Sequence, residues 1–307
     1  MTHEHWSNYW HSGMQTSLPH DFKHNYDREI LSYWQQVFNQ FPDGSRVLDI
    51  CTGNGAVALI VAEFAKKNNI NYKISAVDIS QINTAYIYQH NPKQYTDMIE
   101  FISGQPAETI DKVIHHSQDI VVSQFGLEYS DLSVSAKALA NVMKPKARLV
   151  FIAHSATSDV FKYMSKEELI YEWLDSTGLF DLFENFGESV IGSQELVDNL
   201  FQIIANNQPK PDFQSQSLFQ SWLQLIAGIR QSNQQQLTAQ QNSVLRFVQE
   251  HQAARKRQQD MINVAHKISQ TEWIQPILDA GFELITKQDL KYNSKYDIGK
   301  IYDFRLI

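Results

Sequence analysis

The sequence predicts an α/β fold: a doubly wound, mostly parallel seven-stranded sheet with an antiparallel last strand, carrying a large all-helical insertion. Three observations lead there. Short apolar runs alternate with helical patterns from residue 46 to residue 154, the rhythm of a parallel sheet covered on both faces. From about Ala156 no convincing strand occurs for more than a hundred residues, and helical spacing dominates. The chain then closes with two strands whose connection is too short to hold a crossover helix. The expected layout is an N-terminal helical and aromatic segment (1–40), a sheet domain in two pieces (41–155 and 271–307), and a helical insertion between them (156–270).

A chain of 307 residues with 43% hydrophobic composition can build a substantial core. Its net charge of −8 argues against a general nucleic-acid binder. A single cysteine, Cys51, excludes an intrachain disulfide and suits a reducing compartment. The opening MTHEHWSNYWHSG lacks a charged start followed by an apolar run, and no apolar stretch reaches the ~18 to 20 residues of a membrane span. A cytoplasmic protein without a membrane segment is the expectation.

Residues 1 to 26 hold five histidines (His3, His5, His11, His20, His24) and the rings of Trp6, Tyr9, Trp10 and Tyr26. Either the arm packs these rings on the main domain, or it forms a lid that turns Tyr9 or Trp10 toward a ligand. A metal site is not expected, since no Cys/His spacing stands out on a helical register. Ile30, Trp34 and Phe38 then recur four apart, a helix before the first strand, and Pro42-Asp43-Gly44 makes the turn.

The chain is organised around RVLDICTGNGAVAL, residues 46 to 59. Val47, Leu48 and Ile50 flank the carboxylate of Asp49, a small-residue loop follows, and a helix starts at Ala56. Glycines in such a loop let the backbone approach a ligand closely. Tyr72–Val77 is a second strand with Asp78 just beyond its last apolar residue. Met98–Ile102 is a third, and Ile120–Val122 a fourth that runs into Ser123-Gln124-Phe125-Gly126. A helix from Leu132 to Met143 leads through the turn Lys144-Pro145-Lys146 to a fifth strand, Arg148–Ala153, ending at His154. Ligands in such sheets bind outside the carboxyl ends of the strands, where Asp49, Asp78, Ser123 and His154 all fall.

In the insertion, Ser165-Lys166-Glu167-Glu168 has the form of a capping box. Residues 194–205 and 218–231 read as helices separated by Pro209-Lys210-Pro211. A long Gln-rich helix spans about 234–268, with Val244, Phe247, His251, Ala254, Gln258, Met261, Ala265 and Ile268 on a 3-4 spacing. The insertion is expected to cap the substrate side, with a homodimer contact as the alternative, and residues 253–257 to be a solvated face. Thr271 is expected to cap a helix ending at Gly281. ELITKQDL and a strand ending at Ile307 follow, which must pair antiparallel or lie apart.

The strand-Asp-loop D-x-x-T-G-N-G, a second strand ending in Asp and the closing pair together resemble the class I S-adenosylmethionine-dependent methyltransferases. The resemblance covers about 40–154 and 271–307 and leaves the middle unmatched. It implies S-adenosylmethionine as cofactor and S-adenosylhomocysteine as product. Asp49 would organise the loop and the methionine end, with Asn54 in a loop whose later glycines are Gly53 and Gly55 and whose first is replaced by Cys51. Asp78 would hold both ribose hydroxyls and Ile79 pack on the adenine. Gln105 and Ala107 stand where the family often has G-D-A-E, and Gln105 can accept the adenine hydrogen bond in place of the Asp. Ser123, Gln124 and Phe125 match the fourth motif, whose end faces cofactor and substrate.

Competing readings remain at this point. Gly53 to Ala58 also fits G-x-G-x-x-A of an NAD(P)-binding oxidoreductase, and the fold can persist as a non-catalytic scaffold or regulatory subunit. Within the methyltransferase reading, transfer goes to an O or N nucleophile of a small molecule rather than to a protein or nucleic acid. His154 is the candidate general base. Glu128 and Tyr129, with Tyr9 and Trp10, are the candidate substrate residues.

Overall fold

The computed structural model describes residues 4–18, 22, 24–115 and 117–307. His3, His20 and His116 lie outside the described residues. In chain order the elements begin with helix α1 (Glu4–His11), α2 (Arg28–Phe38), strand β1 (Arg46–Ile50), α3 (Ala56–Lys67), β2 (Lys73–Asp78), α4 (Thr84–His90), α5 (Lys93–Thr96) and β3 (Ile99–Ser103). A 3-10 turn at Ala107–Lys112, β4 (Gln118–Gln124), a second 3-10 turn at Leu127–Tyr129, α6 (Leu132–Val142) and β5 (Met143–Ala153) follow. Then come α7 (Asp159–Ser176), α8 (Leu179–Gly187), α9 (Ser193–Asn206), α10 (Ser217–Gln231), α11 (Gln234–Ser269), α12 (Gln275–Asp279), β6 (Phe282–Tyr292) and β7 (Tyr296–Leu306).

The seven strands form one sheet in the order β3-β2-β1-β4-β5-β7-β6. The first five run parallel, and β7 lies antiparallel between β5 and β6. The two closing strands therefore pair, with Asn293 and Ser294 both at positive φ in their tight turn. Strand order reverses between β1 and β4, where Asp49 stands opposite Val122. The crevice at that switch point is where an open α/β sheet takes its ligand. Leu48, Val121, Leu149 and Phe151 are fully buried under α6 and α12, and the other face is closed by Ile30, Trp34 and Phe38.

The chain divides into two compact units, 1–161 with 263–307, and 162–262. The second is helical, with Ile170, Leu174, Phe183, Phe186 and Trp222 buried at its centre. A Cβ on Gly187 would meet the Leu245 Cβ at 2.6 Å, so α8 and α11 touch nearly backbone to backbone there.

Several local expectations are corrected. Ser165 is not a cap: α7 already begins at Asp159, and Ser158 Oγ accepts the N–H of Phe161 at 3.1 Å. The stretch FDLFENF forms the amphipathic helix α8, which the reading did not announce. The helix expected from Thr271 starts only at Gln275, because Pro276 has no N–H to donate and is accommodated in a first turn. Lys144-Pro145-Lys146 is an irregular start of β5 rather than a separate turn, with Lys146 at φ +66 and the pairing shifting between Gln118 and Ile120. The 253–257 stretch is not simply solvated, since Arg255 binds Glu168 at 3.0 Å and also Asp175.

Candidate active site

Asp49 is 1% exposed, fixed by the flanking apolar residues that make β1 a buried strand. Its Oδ2 accepts Thr52 Oγ1 and the N–H of Ala58 at 3.0 Å, so one carboxylate oxygen ties the strand end to the first turn of α3. Its Oδ1 is buried with no partner. Burial pushes this carboxyl up to about 7 against the pull of those two donors. Asp78, at the end of β2, accepts the N–H of Gly53 and of Ser80, each at 2.7 Å. Both acids thus fold onto one loop. Gly53 and Gly55 sit at φ +57 and +76, and Cys51 at +58 takes a position that glycine normally fills.

Asn54 is fully buried. Its amide donates to the carbonyls of Trp10 and Met14 at 2.9 and 2.7 Å, and its oxygen accepts the N–H of Asn83 at 3.0 Å. The arm is thereby tied to the glycine loop, and a Cβ on Gly53 would strike the Trp10 ring at 2.5 Å. Trp10 stacks on Trp6 at 6.3 Å, and Trp6 meets Tyr129 edge-on at 5.9 Å. Tyr9 is turned inward, its hydroxyl donating to the carbonyl of Thr16 at 2.6 Å. Of the two rings expected to face a ligand, Tyr9 is committed to the arm and Trp10 to the loop.

At the end of β4, Ser123 Oγ accepts the N–H of Leu127 at 3.1 Å, and Gln124 Oε1 accepts Trp34 Nε1 at 2.6 Å. Phe125 turns at φ +53 and stacks on His154 at 4.6 Å. His154 is 7% exposed, its Nε2 has no partner, and burial lowers its pKa to about 4. Glu128 Oε1 accepts the His154 main-chain N–H at 2.9 Å while its Oε2 is unpartnered. Burial raises Glu128 to about 7. Burial thus moves the two groups in opposite senses, the carboxyl up and the imidazole down.

Ile79 leaves 37% of its surface exposed next to Asp78, an apolar face open to a flat ring. The amide nitrogen of Gln105 is taken by Thr109 O and Oγ1 at 2.9 and 2.8 Å, so this side chain points its N–H groups into its own turn, ahead of the buried Ala107. Tyr26, one of the arm's rings, is buried beside Phe125, with burial pushing its hydroxyl up to about 12. One further residue near the site carried no sequence signal. Lys267, at the end of α11, donates to the carbonyls of Glu128 and Ser130 at 3.1 and 2.9 Å. Among the described residues no group of three His, Cys, Asp or Glu is placed to hold a metal, and no helix is long and apolar enough to cross a membrane.

A sheet of order 3-2-1-4-5-7-6, with two acidic strand ends folded onto one glycine loop, defines the class I S-adenosylmethionine-dependent methyltransferases. Residues 28–175 match the family model for the ubiE/COQ5 methyltransferase family. The chain is a class I S-adenosylmethionine-dependent methyltransferase, with S-adenosylmethionine as its cofactor. It is 25% identical over 190 residues to the ubiquinone/menaquinone biosynthesis C-methyltransferase UbiE of Rickettsia prowazekii (strain Madrid E), covering 59% of this chain and 70% of that protein. Among solved structures, TrmN from Thermus thermophilus is similar over 40% of this chain and 37% of its own, at 16% identity and a TM-score of 0.34. A Listeria monocytogenes protein assigned as an S-adenosylmethionine-dependent methyltransferase is similar over 91% of this chain and all of its own, at 12% identity and a TM-score of 0.42.

The residues fit the cofactor. Asp49 Oδ1 is a buried acceptor without a donor, suited to an ammonium. Asp78 is a two-oxygen acceptor of the kind a ribose diol requires. A Cβ on Gly53 would strike Trp10 and one on Gly55 would strike Phe101, so the two glycines let these rings close on the loop.

Proposed function

We propose that the chain moves a methyl group from S-adenosylmethionine to an O or N nucleophile of a small molecule. Asp49, Gly53, Asn54, Gly55, Asp78, Ile79, Gln105 and Ala107, with Ser123 to Phe125, hold the donor, which supplies an activated methyl on a positively charged sulfur. The observation that carries the reading is the pair of buried residues Glu128 and His154 at the carboxyl ends of β4 and β5, with the half-buried Tyr129 edge-on to both His154 and Trp6. Rings beside the unpartnered Glu128 Oε2 and His154 Nε2 suit a compact organic acceptor. The chain's net charge of −8 supports an acceptor other than nucleic acid. We place the chain in the cytoplasm, a reading supported by its single cysteine.

Alignment and exclusion of water account for much of such a displacement. The two acids at the first two strand ends position the donor. The rings of Trp6, Tyr129 and Phe125 keep the reacting centre dry.

A carbon acceptor is the second reading, favoured by the 25% identity to a C-methyltransferase. Calorimetry with S-adenosylmethionine, S-adenosylhomocysteine and NAD tests the donor. Binding of NAD alone would overturn the assignment, and binding of none would favour a scaffold. Transfer of a labelled methyl to a panel of phenols, amines, quinols and whole-cell protein tests the acceptor class, and carbon NMR of the product separates O, N and C. Label appearing only in protein would overturn the small-molecule reading.

A further inference from the structure

We propose that Glu128 is the catalytic base of this enzyme, taking the proton from a hydroxyl or amine of the acceptor as the methyl arrives. The assignment rests on the methyltransferase reading of the site and goes beyond it in naming the group and the acceptor's ground state.

The backbone delivers this side chain with care. Phe125 turns at φ +53, Gly126 follows, and one 3-10 turn brings Glu128 back under the sheet edge, tied to β4 by Ser123 Oγ. The residue is 1% exposed. One carboxylate oxygen does a structural task, accepting the His154 N–H at 2.9 Å. A glutamine would do that task without burying a charge. The second oxygen, Oε2, has no partner, and neither has His154 Nε2 on the neighbouring strand. Lys267 makes no ion pair with the acid: its Nζ donates to the carbonyls of Glu128 and Ser130, and its charge only partly offsets the effect of burial on the carboxyl. Two unpartnered, deeply buried polar groups just beyond the carboxyl ends of the adjacent strands β4 and β5 mark where a ligand's polar atoms go.

Between the two, the carboxyl is the better acceptor at neutral pH. Burial holds it near 7, where a base combines a populated ionised form with a useful affinity for the proton, whereas His154 is held near 4. The other groups around Glu128 are Lys267, and the acids Asp131 and Glu108 that share Lys267 with it. Asp49 and Asp78 face the intervening Cys51, and Tyr302 faces Glu128 from β7.

The step balances. The lone pair of the acceptor's O or N forms the bond to the methyl carbon. The carbon–sulfur bond breaks with its pair to sulfur. The acceptor's proton passes to Oε2 of Glu128, leaving its bonding pair on the acceptor. A sulfonium cation, a neutral acceptor and a carboxylate become a thioether, a methylated neutral product and a carboxylic acid, so a charge pair is annihilated inside a dry site.

The test reads the acid directly. In protein labelled with carboxyl-13C glutamate, ligand-free wild type is expected to show one glutamate titrating near 7 that is absent from Glu128→Gln. Saturating S-adenosylmethionine is expected to lower that midpoint by about 1 unit or more, as a cation within reach does. S-Adenosylhomocysteine, which lacks the charge, leaves it in place. Glu128→Gln keeps the acceptor for His154 N–H and so its fold; it is expected to bind S-adenosylhomocysteine as wild type does and to lose about 100-fold in turnover of the acceptor found in the panel. Wild type that fails to bind S-adenosylhomocysteine would overturn the proposed function itself. Binding with a Glu128 midpoint below 5 or blind to the sulfonium, or a Glu128→Gln enzyme of wild-type rate, would overturn the base alone.

Discussion

The Cβ of Cys51 stands 2.4 Å from the point where a side chain on Gly126 would begin. The two residues belong to different strand ends, β1 and β4, and each explains the other. Cys51 occupies a left-handed position (φ +58) that favours glycine, and its side chain finds room only because Gly126 has none. Gly126 itself has an ordinary negative φ of −146, so collision rather than backbone strain forbids a methyl there.

Gly126→Ala is therefore expected to destabilise the fold by about 1–3 kcal/mol, the usual cost of overpacking. Cys51→Gly in the same chain should restore most of the loss. Urea denaturation of the two single variants and the double variant checks this. Additive effects would mean the two residues do not compete for space.

Asp78→Ala is expected to weaken binding of both S-adenosylmethionine and S-adenosylhomocysteine by roughly 1.5–3 kcal/mol, the range for hydrogen bonds to a charged group. It also releases the N–H groups of Gly53 and Ser80. Calorimetry measures it, and an unchanged affinity would remove Asp78 from the site.

Asn54 makes the arm's attachment to the glycine loop specific, with two bonds to arm carbonyls and one to Asn83. Asn54→Ala should loosen residues 4–17 by about 1–3 kcal/mol, since buried partners are left unsatisfied. Hydrogen exchange of the arm's amides is expected to speed up accordingly. Arm protection equal to that of wild type would assign its docking to the rings alone.

Stability should depend on pH through the buried acids. Glu128 and Asp49 are held near 7, above the ordinary carboxylate range, so the folded chain keeps protons that the unfolded chain has released. Their contribution to stability consequently falls as pH rises from about 4.5 to 7. His154, held near 4, works in the opposite direction between about pH 4 and 6.5. Glu128→Gln should gain on wild type by about 3 kcal/mol between pH 4 and pH 8, following about 1.4 kcal/mol per unit of raised pKa. Denaturation midpoints at both pH values read the difference, and a constant gap would place Glu128 in a solvated setting.

Much of the site was legible because its chemistry is local in the chain. A buried strand must end where its apolar run ends, so Asp49, Asp78, Ser123 and His154 announced themselves at one edge of the sheet. The same logic foresaw the insertion and the closing strand pair. Reading failed where a helix boundary turns on one local hydrogen-bonding group, as at Ser158 and Pro276, or where a helix is short, as in the nine-residue α8.

By itself the sequence determined the fold class, the glycine loop and the two acids that grip it, since side-chain period and turn chemistry act over a few residues. Only the tertiary structure decided that Trp10 lies on Gly53, that Lys267 anchors the turn bearing Glu128 from 139 positions away, and that this acid rather than His154 titrates near neutrality. Desolvation is the reason. How far a group's pKa moves depends on everything packed around it, and those neighbours come from parts of the chain that share no local pattern.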